Sequence, residues 1–394
     1  MREVVIAGAV RTAIGKFGGS LASLTAAELG AAAAAEALRR SAIPPASVDE
    51  AIFGCARQAG GGPNVGRQIA YKAGVPKEVP AYTVNMACAS GLKAVDLAYR
   101  AVRDGDADVV LAGGVESMSR VPYLLTGARW GYRIGHQPAV DGMYQDGFQC
   151  PLCERLMGET AETLAEQYGI GRDEQDAFAL RSQQRAAKAW EEGRFGAETF
   201  PVRVPGRKGD VEFAKDEHPR AETDKASLAK LAPVFKEKTG TVTAGNSSGI
   251  TDGAAAVVVL SAERAKALGV QPMARILGVA AAGVDPAVMG IGVVPAVRKL
   301  LSRLSLRTSD FDLVELNEAF AAQVLACDRE LRFDPEKLNV NGGAIAIGHP
   351  IGATGTRISV TLLHEMARRQ ARLGLATLCV SGGMGMAAAY ERVA

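Results

Sequence analysis

Apolar runs alternate along the chain with stretches of helical period, and the alternation is laid out twice. Val4 to Gly8 reads as a strand, and the alanine-rich stretch from about Thr25 to Arg39 as a helix. An acidic turn then leads into a strand at Ala51 to Gly54. Val84 to Lys93 is a short extended run that turns through small residues. Leu92, Val95, Tyr99 and Val102 follow at helical spacing, which predicts a helix beginning near Ser90. Asp108 to Gly114 closes the unit as a strand. After residue 270 the order returns. Ala274 to Val279 reads as a strand, Val294 to Leu304 as a helix, and Asp312 to Leu316 as a strand behind another acidic turn. A glycine-rich loop from Val340 to Gly343, a helix from about Thr354 to Arg369 and a strand from Ala376 to Gly383 complete it. This is the pattern of a duplicated α/β unit.

Apolar strands alternating with helices predict buried, largely parallel sheets, two halves packed together, and strand-end loops facing a shared site. The segment from about Ser119 to Asn246 has no counterpart in the second half. It is polar and irregular, including Gly206 to Asp210, and reads as an inserted loop domain of the kind that covers a site. With 394 residues, 48% of them hydrophobic, the chain is long enough for two core-bearing units. A net charge of +2 argues against nucleic acid as a partner, because that needs a concentrated basic face. The longest apolar stretches, such as Ala254 to Leu260, are too short to cross a membrane. No basic and apolar leader precedes the first strand, so a cytoplasmic protein is expected. The six cysteines are scattered rather than arranged as a disulfide framework, which agrees with a reducing compartment.

Cys88 sits at the corner of the strand-to-helix turn. Unpaired amide N–H groups at a helix start favour a thiolate, and lowering a cysteine pKa to near 7 needs about 2 kcal/mol. The competing reading is a structural cysteine buried in a tight turn. Three other places share the character of a reactive strand end. They are Asn317-Glu318-Ala319-Phe320 after a buried strand, the Gly342 to Gly352 loop around His349, and Cys379 to Gly385. The chain has only four histidines, and one set among glycines and prolines is poorly placed for packing. Recurrence at equivalent strand ends of both halves favours a catalytic reading over four separate structural ones.

Together these motifs closely resemble the thiolase family, in particular its acetyl-CoA acetyltransferase (3-ketoacyl-CoA thiolase) branch, over essentially the whole chain. The carriers are Asn85 to Lys93, Gly113 to Ser119, Thr243 to Gly249, Asn317 to Phe320, Gly342 to Gly355 and the Cys379 loop. The resemblance implies duplicated α/β units with layered α-β-α-β-α packing and an inserted loop domain. Residues 1–118 with 247–269 form the first half, 119–246 the insertion over the coenzyme A site, and 270–394 the second half. It implies reversible condensation of acetyl-CoA with an acyl-CoA, or thiolysis of a 3-ketoacyl-CoA. Coenzyme A thioesters are then substrates, and no permanently bound cofactor or metal is expected.

By the same resemblance Cys88 is the acylated nucleophile and His349 its base, with His349 and a water held by Asn317 as oxyanion donors. Cys379 is the acid/base of the second half-reaction, and the N–H groups of Cys88 and Ser381 form a second oxyanion hole. Ser248 is assigned to the pantetheine arm and Arg220 to the nucleotide end, with Met157, Phe235, Met289 and Phe320 around the acyl group. Tyr123 to Val140 matches the segment that pairs dimers into a homotetramer. The sequence departs from the family at Ser381, usually glycine, which carries strain if that position needs positive φ. Leu156 stands where many biosynthetic members have histidine, leaving chain-length preference open, and Thr251 replaces a usual asparagine. Cys150-Pro151-Leu152-Cys153 is a pair untypical of the family and too small to close a zinc site. A decarboxylating ketoacyl synthase, a non-catalytic acyl or lipid carrier and a redox protein built on that pair are the rival readings. The second cysteine, Cys379, favours thiolase over the first.

Overall fold

Alternation along each strand sorts the apolar side chains into separate cores, and this produces the layers seen in the computed structural model. The structure describes residues 2–206 and 208–393, so Arg207 of the polar Gly206 to Asp210 stretch lies outside the described residues. On strand Val4–Thr12, Val5 and Ala7 face helix Ala26–Ser41 through Leu29, Ala33 and Ala37. Val4 and Ile6 face the other way, toward Leu92 and Val95 of helix Ser90–Asp104 and Ile358 and Leu362 of helix Ile351–Arg369. The second half repeats the scheme. Ala376, Leu378 and Val380 of strand Leu373–Val380 turn toward the same two helices. Leu375 and Cys379 turn outward, into the core built with helices Val293–Leu304 and Ala321–Leu331. The order across the molecule is therefore helices, strands, two central helices, strands, helices. Helix Ile351–Arg369 touches strands of both halves and is almost wholly buried.

The strands run Leu313–Leu316, Leu373–Val380, Met384–Arg392, Ala274–Gly283, Val4–Thr12, Thr251–Ser261, Val109–Ser117, Glu50–Gly54 and Ala81–Val84. The halves join where Val5 pairs with Arg275 and Ile6 with Ala274. The expectation of largely parallel sheets is corrected to a mixed sheet. Glu50–Gly54 is parallel to both its neighbours, as is Leu313–Leu316 to Leu373–Val380. The long strands Thr251–Ser261 and Met384–Arg392 are antiparallel to theirs. Met384–Arg392 follows Leu373–Val380 through a turn too short for a parallel crossover, so only an antiparallel pairing is open to it.

The two acidic turns do the same work in the two halves. Asp49 Oδ2 accepts from the Asp108 and Val109 amides at 2.8 and 2.9 Å, and Asp312 Oδ2 accepts from Arg372 and Leu373 at 2.8 and 2.9 Å. Each carboxylate fixes the start of the neighbouring strand, and hence the position of the reactive loop at that strand's far end. Helix Ala26–Ser41 starts one residue later than expected because Thr25 caps it, reciprocally with Glu28.

The insertion is more regular than its composition predicts, holding helices Met157–Tyr168, Arg172–Glu191 and Lys225–Ala229. Helix Arg172–Glu191 hides from a search for apolar period because its buried face is partly polar. Ser182 Oγ donates to Glu318 at 2.6 Å, and Gln183 donates to the Ile345 carbonyl at 3.3 Å. No helix among the described residues is long and apolar enough to cross a membrane.

Candidate active site

The two central helices cross at their N-terminal turns, where side chains are dispensed with. A Cβ on Gly91 would stand 2.9 Å from the Gly352 carbonyl oxygen, and one on Gly355 only 2.6 Å from Leu92 Cβ. Glycine at both positions lets the helix starts converge, and with them the residues just before each start, Cys88 and His349. Both N-termini then direct positive dipole ends at one place. A cavity of about 410 Å³ opens there, roofed by the insertion.

Cys88 reaches its corner through a strained turn. Ala87 has φ 44°, a left-handed conformation costing an L-residue about 1–2 kcal/mol. Side chains on either side hold it. Asn85 Oδ1 accepts from the Ala87 amide at 2.9 Å, while Ser90 Oγ accepts from Met86 N at 2.9 Å and donates to the Ala87 carbonyl at 2.6 Å.

The tautomer of His349 follows from its neighbour. Thr354 Oγ1 gives its hydrogen to the Pro350 carbonyl at 3.0 Å, so at 2.6 Å from His349 Nδ1 it accepts. Nδ1 therefore carries the proton and Nε2 is an unprotonated base. Burial, then the Arg357 and Arg57 charges, pull the imidazole pKa down to about 3, so the ring is neutral near pH 7.

The expected thiolate meets an opposing influence. Part of Cys88 is open to the cavity, yet burial is the largest influence and pushes its thiol up. The Ser381 N–H, the Arg57 charge and the residue's own N–H act in the opposite direction without prevailing. A helix start stabilises an anion only as far as desolvation allows. Burial thus works against the thiolate that the helix start favours, and His349, neutral and on the wall of the same cavity, is the candidate acceptor for the thiol proton. Alkylation of Cys88 by iodoacetamide should accordingly accelerate about tenfold per pH unit from pH 7 to 9. A rate already level at pH 7 would instead indicate a standing thiolate–imidazolium pair.

Cys379 ends its strand fully buried, with its thiol raised well above the usual range by burial first and by the charge of Cys88 second. Ser381 carries none of the strain allowed for it. Its φ is not positive, and the turn's left-handed positions fall on Gly382 and Gly383, at 84° and 82°. Met157, Phe235, Met289, Phe320, Leu156, Ser248 and Arg220 all line the cavity with the cysteines and His349. The Phe235 and Phe320 rings meet edge to face at 6.1 Å. Arg220, His218 and Ala244 also border an adjoining cleft of about 350 Å³ that continues the cavity outward. Asn317 is the exception. It is buried behind the lining, and neither polar atom of its side chain has a hydrogen-bond partner among the described residues.

Sequence reasoning missed Arg57, His218 and Glu116. Arg57 follows a parallel strand, a position where ligands gather, and that was its available signal. His218, one of only four histidines, lines the cavity with Nδ1 on the Ala346 carbonyl at 3.0 Å. Glu116 lies within the Gly113 to Ser119 motif. It accepts from Ala56 N at 3.1 Å, Arg57 N at 2.9 Å and Gly352 N at 2.8 Å, tying the Arg57 loop to the helix that carries His349.

Two family models cover nearly all of the chain. These are "Thiolase, N-terminal domain" over residues 4–263 and "Thiolase, C-terminal domain" over 270–392. An acetyl-CoA acetyltransferase of Pseudomonas aeruginosa is 54% identical over 393 residues, covering 100% of both chains. One of Syntrophomonas wolfei is 53% identical over 394 residues, covering 99% of both. Among solved structures, the Bacillus anthracis acetyl-CoA acetyltransferase has a TM-score of 0.98 at 47% identity, covering 100% of this chain and 99% of its own. The human mitochondrial 3-ketoacyl-CoA thiolase in complex with CoA has a TM-score of 0.96 at 40% identity, covering 100% and 98%. With its cysteines, histidine and helix starts converging on one cavity, the chain belongs to the thiolase family.

Proposed function

We propose that the chain is an acyl-CoA C-acetyltransferase. It condenses acetyl-CoA with an acyl-CoA, or cleaves a 3-ketoacyl-CoA with coenzyme A, by ping-pong transfer through an S-acyl-Cys88 intermediate. The observation that carries this reading is the placing of Cys88, His349 and Cys379 in one cavity, with the Cys88 and Ser381 N–H groups directed at the Cys88 sulfur.

In the first half-reaction His349 Nε2 takes the Cys88 proton as the sulfur attacks the thioester carbonyl. The oxyanion is met by His349 and by a water that Asn317 holds with its unpartnered amide. Collapse expels coenzyme A thiolate, which recovers the proton. In the second half-reaction Cys379 moves the proton at the α-carbon, and the acyl oxygen rests on the Cys88 and Ser381 N–H groups. Ser248 lies along the pantetheine arm, and Arg220 stands at the outer cleft for the anionic nucleotide. Met157, Phe235, Met289 and Phe320 hold the acyl chain, and Leu156 makes that wall wholly apolar on its side. The direct test is the absorbance loss of acetoacetyl-CoA on adding coenzyme A, extended to a kcat/KM series from C4 to C16. Absence of turnover across the series would contradict the reading.

The working assembly is a cytoplasmic homotetramer. Trp130 and Ile134 are 88% and 99% exposed, in a segment where Tyr123, Leu125 and Tyr132 are also exposed. A second copy would cover such a patch. The outer strand Ala81–Val84, half-buried and leading into the Cys88 turn, supplies the dimer contact. Light scattering should give a mass near four times 41.0 kDa, and deletion of residues 123–140 should leave an active dimer. An unchanged tetramer after deletion would place the contact elsewhere.

A further inference from the structure

Beside the cavity a short hairpin carries a feature that the acyl-transfer chemistry does not use. Gln149–Cys150 pairs with Arg155–Leu156, with Cys150 opposite Arg155, leaving Pro151 to Glu154 as a four-residue loop. Loops of this length are most often built around a type I turn, and proline is favoured at the second position of such a turn, the place Pro151 takes after Cys150. Three residues apart at the end of one short hairpin, the two cysteines are close enough in sequence for the loop to bring them within the span of a disulfide. Glu154, with φ 55°, then redirects the chain into the second strand. Both thiols are free, and Cys150 is near enough to Cys153 to help push the Cys153 thiol up, after burial. Cys150 is buried while Cys153 is partly exposed, so one thiol can be approached from solvent and the other only from its neighbour.

The hairpin is also wired to the site. Phe148, just before the first strand, and Leu156, the last residue of the second, line the cavity with Met157. At its tip Leu152 lies over Gly382, the nearest side chain to that glycine in the Cys379 loop.

We propose that Cys150 and Cys153 form a reversible dithiol–disulfide site whose oxidation reshapes the acyl wall and weakens binding of the acyl-CoA. The co-reactant is a low-molecular-weight disulfide such as oxidised glutathione. Cys153, as thiolate, attacks one sulfur of that disulfide and expels a thiolate, giving a mixed disulfide. Cys150, as thiolate, then attacks the Cys153 sulfur and expels the second thiolate. The two protons released by the cysteines go to the two departing thiolates, so one disulfide is reduced as one is formed. The closed loop pulls the turn inward, which shifts Leu152 from Gly382 and Leu156 from the cavity wall.

The experiment uses the full chain with Cys88→Ser and Cys379→Ser, which removes the cavity thiols from the chemistry. After incubation with oxidised glutathione, the peptide holding Cys150 and Cys153 should be lighter by two hydrogens, resist alkylation and recover with dithiothreitol. Titration with acetoacetyl-CoA should give a Kd raised about fivefold by oxidation, the low end of coupling between sites. Adding Cys150→Ala or Cys153→Ala should abolish that response while leaving the reduced-state Kd in place. A glutathione adduct that stops at Cys153, an unmodified pair, or an internal disulfide with an unchanged Kd would each overturn the proposal.

Discussion

Cys379→Ser should continue to exchange labelled coenzyme A into acetyl-CoA while condensation and thiolysis fall about 10² to 10⁴-fold, the usual worth of a positioned acid/base. Exchange needs only Cys88, His349 and the first oxyanion site. Carbon–carbon bond change also needs a proton moved at carbon, and a serine hydroxyl is a far poorer acid than even a raised thiol. Cys379 is buried near the end of its strand, on the wall of the cavity that holds Cys88. The substitution is close to isosteric and should not disturb the fold. Equal loss of exchange and of carbon–carbon chemistry would contradict separate roles for the two cysteines.

The second large effect is expected at His349. His349→Ala removes the base for Cys88 and one oxyanion donor together. Each is worth about 10² or more, so kcat/KM should fall by roughly 10⁴ or beyond. Alkylation of Cys88 should slow as well, because the thiol is raised by burial and loses its proton acceptor. Without its base the variant depends on the small thiolate fraction of Cys88, so the loss should narrow as pH rises from about 7 to about 9 but not vanish, because one oxyanion donor is still missing. A loss that disappeared at high pH would mean that His349 serves only to deprotonate the resting thiol.

Cys88 and His349 were legible because each sits where backbone geometry is unusual and the sequence must accommodate it. Small residues surround Cys88 at a sharp turn, and Gly348 and Pro350 bracket His349. The duplication was legible through apolar period and the paired acidic turns. Glu116 was not, because its partners Arg57 and Gly352 are 59 and 236 residues away and no local pattern links them. Helix Arg172–Glu191 was missed since its buried Gln175, Ser182 and Gln183 read as surface until Glu318 and Ile345 are seen opposite. The opposing pull of burial on Cys88 was missed for a related reason. The helix start is local and visible, whereas desolvation comes from an insertion folding over the turn from residues far along the chain.

The proposed mechanism depends above all on Cys88 as the residue that carries the acyl group. Incubation of the protein with acetyl-CoA, rapid acid quenching and peptide mass mapping tests this most directly. One acetyl group on the peptide containing Cys88, absent from Cys88→Ala, is the predicted result. An acetyl group on Cys379 instead would contradict it.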